Sequence, residues 1–134
     1  MKVFISQPMA GLTDAQILER RNELIEKTRE WYKGQELEFI DSFTKSEEIV
    51  GRGRIAMLGD SIMLMRDATV CVFATGWQKS AGCKVEHEVC VQYTIQRLYE
   101  DLMDEQNKPP VEKRCLADVY KGELVDGGDN DVPD

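Results

Sequence analysis

A chain of 134 residues is long enough for one domain with a real hydrophobic core and too short for two. A formal net charge of −8 runs against a nucleic-acid surface, which needs a basic patch, although a few local donors can still hold a small anionic substrate. The opening residues, MKVFISQPMAG, lack the apolar core of a signal peptide, and no stretch approaches the roughly 18 apolar residues of a membrane span, so the cytoplasm is the expected location. The four cysteines, Cys71, Cys83, Cys90 and Cys115, form no CxxC pair and read as free thiols, mostly buried.

In chain order, Lys2–Ser6 is short, apolar and β-prone, and QPMAG at 7–11 stops it. Thr13 and Gln16 have the spacing of a capping box, which starts a helix at Asp14. Ile17, Leu24, Thr28 and Trp31 recur at helical spacing along it, and Lys33–Gly34 should end it. Leu37–Asp41 reads as an edge strand because its alternation includes Glu38. Glu47–Arg66 carries an apolar helical stripe of Ile55, Leu58, Ile62 and Met65, despite several glycines. Ala68–Thr75 is β-branched and apolar without polar alternation, the pattern of a central parallel strand.

A helix is expected to begin around Ala81–Lys84, and periodicity leaves its length open. It either runs to Gln106 or stops near Tyr93 ahead of a strand at Ile95–Tyr99. Val111–Tyr120 reads as an edge strand or a short helix. The alternation of strands and helices predicts one α/β domain over 1–121, three-layered and flavodoxin/Rossmann-like, with a parallel sheet and helices on both faces. Residues 122–134, GELVDGGDNDVPD, read as an acidic, mobile tail.

The best functional lead is GWQKSAGCKVEHEVC at 76–90, a glycine-broken loop between the most apolar strand and a helix. Ligands gather at such strand ends and helix starts because backbone donors converge there. Glu86 is a candidate nucleophile or general base, since a carboxylate can attack an anomeric carbon; the alternative is a solvated glutamate favoured by the helix dipole. Glu88 points to a different face. Asp60 interrupts an apolar run, and if half-buried it would have a raised pKa suited to donating a proton or binding a nucleobase edge; otherwise it borders the stripe.

Cys83, His87 and Cys90 share a helix face but rarely would three such neighbours close a zinc site, so no metal and no other cofactor is expected. Ser6, Gln7 and Gly11 follow the first strand, where a loop can present N–H groups to an oxygen-rich ligand. Ser80 and Gly82 are the equivalent donors in the second loop. Trp77 either closes over a planar ring or packs on the protein itself. Neither GxGxxG nor GxxxxGK[ST] is present.

MKVFISQPMAG, Asp60 and GWQKSAGCKVEHE together resemble the nucleoside 2-deoxyribosyltransferase-like superfamily, most nearly a small branch of bacterial and phage proteins. That superfamily includes the 2'-deoxynucleoside 5'-phosphate N-hydrolases. The resemblance covers roughly residues 1–100. It implies that Glu86 is the nucleophile that takes the deoxyribosyl group and that Asp60 is the proton donor near base and sugar. Ser80 and Gly82 fall on positions that cradle the base or phosphate.

Phe4 stands where many members carry a tyrosine that orients the nucleophile, and a phenyl ring donates no hydrogen bond. Pro8 and Ala10 stand where the nucleotide hydrolases carry a serine and an arginine for phosphate, which counts against a monophosphate substrate. The resemblance also implies a strand at Ile95–Tyr99 and a homo-oligomer. The expected activity is cleavage or transfer at the N-glycosidic bond of a small-molecule nucleoside or nucleotide through a glycosyl-Glu86 intermediate. The alternative is a module that binds or senses nucleosides or nucleotides without turnover.

Overall fold

The computed structural model describes residues 1–44, 51 and 53–106. The expected element at 111–120, the acidic tail and Cys115 lie outside the described residues, as does the beginning of the helix expected from Glu47. The described elements are β1 (Lys2–Ser6), α1 (Asp14–Trp31), β2 (Glu38–Phe39), α2 (Arg54–Met65), β3 (Val70–Phe73), a 3-10 turn (Trp77–Lys79), α3 (Ala81–Gln92), β4 (Gln96–Tyr99) and α4 (Glu100–Glu105). The four strands form one parallel sheet in the order β2-β1-β3-β4.

Successive side chains of a strand point to opposite faces, and here they build two separate cores. Val3, Ile5, Val70, Val72, Ala74 and Leu98 pack against Leu24 of α1 and Met103 of α4. Phe4, Cys71 and Phe73 pack on the other face against Met65 of α2 and Cys83 and Cys90 of α3. The sheet is therefore covered on both faces, the three-layer α/β arrangement expected of all-parallel strands with near-continuous apolar runs. Phe4 is 1% exposed inside the second of these cores, so its ring is a packing element.

Local chemistry sets the element boundaries. Thr13 and Gln16 do form the capping box, with Gln16 N–H donating to Thr13 Oγ1 at 3.1 Å and Thr13 N–H donating to Gln16 Oε1 at 2.9 Å. The α1 stripe differs from the expected one at its end: Trp31 faces solvent, and Tyr32, one residue later, takes the buried place. In α2 the stripe holds only toward its C-terminus. Met65 is buried and Ile62 packs against the core, whereas Ile55 is 86% exposed. The helix leans its last turns on the sheet and lifts its first turn away.

Helix α3 stops at Gln92 and is followed by β4, so the short-helix arrangement holds. Thr94 makes the break by adopting a left-handed backbone, φ 59°.

A further interaction locks α1 to the far end of the sheet. The Glu100 side chain is 1% exposed, yet its carboxylate is fully occupied. It accepts a fork of two bonds from Arg20, one of them at 2.9 Å, a third from Lys27 at 2.7 Å and a fourth from the Thr75 backbone N–H at 2.9 Å. The bonds from Arg20, Lys27 and Thr75 outweigh burial and hold the Glu100 carboxyl down at about 2.

Candidate functional site

Strand order alone marks one end of the sheet. From β1 the chain leaves toward β2, and from β3 it leaves toward β4 on the opposite side. The carboxyl ends of β1 and β3 thus flank the crevice where open α/β sheets bind ligands. Ser6 and Phe73 sit there side by side in the register.

Glu86 reaches this place from α3. Its side chain is buried, 8% exposed, and Oε1 accepts a 2.6 Å hydrogen bond from the Ser6 hydroxyl. Burial pushes the Glu86 carboxyl above its ordinary range, while hydrogen bonds from Ser6 and from Ser61 of α2 pull it back in part. The carboxylate is therefore held by a hydroxyl from another element, β1. Glu86 is not the solvated helix-start glutamate that the sequence left open. That description fits Glu88, which is exposed and accepts a bond from Gln92 at 2.6 Å.

The remaining candidates divide into those near this carboxylate and those with other work. Ser80 caps α3, its Oγ accepting from Cys83 N–H at 3.4 Å. Burial pushes the buried Cys83 thiol up, and Ser6 and Ser80 offset that in part. Gly82 lies in the first turn of the same helix, and a Cβ built on it would meet nothing within 4 Å. Gln7 is buried and spends its amide N–H on the Ile17 carbonyl at 3.2 Å, which fastens the β1–α1 loop to α1. Gly11 is exposed in that loop with φ 81°, a left-handed conformation suited to glycine.

Asp60 is exposed on α2, so the half-buried carboxylate considered for that position is not what the fold builds. Its neighbour Ser61 is the α2 residue that favours the ionised form of Glu86. The sequence did carry a signal for Ser61. It lies three residues after Leu58 and four before Met65, a polar side chain on the apolar stripe, which requires a polar partner where the helix meets the sheet.

Trp77 is 7% exposed and stacks on His87 with ring centroids 4.1 Å apart, beside Phe73. Of its two readings, packing on the protein itself is the one realised. His87 also contacts the Tyr99 hydroxyl through Nε2 at 2.7 Å. Burial, aided by the positive charge of Arg97, lowers its pKa to about 4, so the ring is neutral at neutral pH. With His87 committed to Tyr99 and Trp77, and no hydrogen bond joining it to Cys83, a Cys–His nucleophile pair has no geometric basis among the described residues. Among the described residues no group of three His, Cys, Asp or Glu side chains is arranged to hold a metal ion.

The outer side of α3 carries something different: a shallow groove of about 550 Å³ lined by Val85, Val89 and Tyr93 among others. It lies on the helix face opposite Cys83, Glu86, His87 and Cys90 and has no part in the carboxylate site. Among the described residues no helix is long and apolar enough to cross a membrane.

Fold and site together define a small parallel α/β domain with a hydroxyl-held buried carboxylate at its strand switch point. Comparison with protein-family models, with characterised proteins and with solved structures yields no match.

Proposed function

We propose that the protein cleaves or transfers at the N-glycosidic bond of a small nucleoside or nucleotide, with Glu86 as the nucleophile. The observation that carries this reading is the buried Glu86 carboxylate bonded at 2.6 Å to Ser6 at the carboxyl ends of β1 and β3. Burial makes the carboxylate more basic than an exposed one, and hence a stronger nucleophile once ionised. One of its oxygens attacks C1′ and forms an ester bond as the C1′–N bond breaks. The electron pair of that bond leaves on the base nitrogen, where a proton from Asp60 neutralises it. Water or a second base then attacks C1′ and gives up a proton to the Asp60 carboxylate, and Glu86 departs as the carboxylate.

Ser80 and Gly82 line the approach in this scheme, with Ser6, Gln7 and Gly11 on the β1 side. The exposure of Asp60 bears on its part: it would donate from the rim, with ligand closing over it. The resemblance that motivates this reading also implies a homo-oligomer, and the cytoplasm is the proposed location.

The test is to incubate the protein with deoxynucleosides and a free acceptor base and to separate the bases by chromatography. Base release or exchange that disappears in Glu86→Ala is the expected result. No release by the parent protein would defeat the reading. Because Asp60 lies in solvent, a module that binds nucleosides without turnover is the second reading, and calorimetric binding without base release would select it.

A further inference from the structure

We propose that Ser6 is a positioning residue for Glu86, supplying from β1 the hydroxyl contact that the ring of Phe4 does not offer. The proposal rests on the reading of Glu86 as nucleophile and adds to it what aims the carboxylate. Ser6 is 1% exposed, and its backbone is fixed by the sheet, with its carbonyl accepting from Ala74 N–H at 3.0 Å. Its hydroxyl therefore has little freedom except rotation, and it is turned to Glu86 Oε1 at 2.6 Å. A bond of that length from O–H to a carboxylate is charge-assisted and strongly directional.

The Ser6 bond joins strand to helix across the site and occupies one of the roughly four lone-pair directions of the carboxylate, leaving others for attack. Phe4 precedes Ser6 by two residues on the same face of β1, so the strand that buries the ring also delivers the hydroxyl.

The test compares Ser6→Ala and Ser6→Thr with the parent. The first readout is the titration of the Glu86 carboxyl by carbon NMR of glutamate-labelled protein, assigned with Glu86→Gln. The second is the pH profile of base release. Removing a hydroxyl should raise the Glu86 midpoint and move the acid limb of kcat/KM upward in pH. It should lower kcat by roughly 10- to 100-fold with little change in KM, as loss of alignment does. Ser6→Thr, which keeps the hydroxyl, should restore both readouts.

An unmoved Glu86 titration in Ser6→Ala overturns the proposal, whatever the activity. If the titration answers to Ser6→Ala but the parent releases no base, the N-glycosidic reading falls while the placement of the carboxylate by serine is upheld.

Discussion

Replacing Glu100 by glutamine should destabilise the fold by about 2 kcal/mol at neutral pH, and the effect should fade in acid. A carboxyl held at about 2 rather than the ordinary 4.5 corresponds to about 3 kcal/mol of preference for the charged, folded form. That figure is an upper bound, because the Arg20 and Lys27 side chains are 31% and 35% exposed and turn to water when the partner is lost. Glutamine can still accept from Thr75, but its amide N–H groups face two cations.

The folded value lies below the unfolded one, so the contribution is complete above about pH 4.5 and is lost as pH falls toward about 2. Urea unfolding of parent and Glu100→Gln, followed by circular dichroism near pH 7 and near pH 3, measures both effects. A variant within about 0.5 kcal/mol of the parent near neutrality would refute the reasoning, as would a stability gap that stays constant in acid.

Three other outcomes follow from the site. Glu86→Gln should be at least as stable as the parent near pH 8, since a carboxyl raised by burial contributes most when protonated and loses that contribution as pH rises through its folded value; a loss above about 1 kcal/mol would contradict the burial argument. Gly82→Ala should fold at least as well, because the added methyl meets no atom within 4 Å and alanine favours a helix. It should nonetheless cut base release by at least roughly tenfold if substrate passes there, and unchanged kinetics would remove Gly82 from the site. Cys71, Cys83 and Cys90 are buried, and burial helps push the Cys71 and Cys83 thiols up, so peptide mapping after thiol labelling should find them unmodified until the protein is denatured.

What the sequence made legible is what local rules govern. Lys2–Ser6 and the core of Ala68–Thr75 are strands because a parallel sheet buried on both faces needs uninterrupted apolar residues. The start of α1 followed from Thr13 and Gln16 alone. The end of α3 was hidden because Thr94 provides the left-handed residue there, where glycine would have announced it.

At the site, the position of Glu86 on a helix after the central strand was readable, but what surrounds it was not. Ser6 and Glu86 stand 80 residues apart, as do Arg20 and Glu100, and no periodicity connects side chains across that distance. Phe4, whose ring donates no hydrogen bond, therefore read as a defect, although the Ser6 hydroxyl reaches the Glu86 carboxylate. Trp77 shows the converse: an aromatic loop residue looks available for a ligand until the fold places His87 against it.

The most direct test of the central claim is chemical. The protein would be mixed with excess deoxynucleoside in the absence of an acceptor base, quenched in acid and digested, and the peptide containing Glu86 examined by mass spectrometry alongside measurement of free base. The expected result is released base together with a deoxyribosyl ester on Glu86, both absent from Glu86→Gln. Base release without modification of that peptide, persisting in Glu86→Gln, would contradict the assignment of Glu86 as the nucleophile.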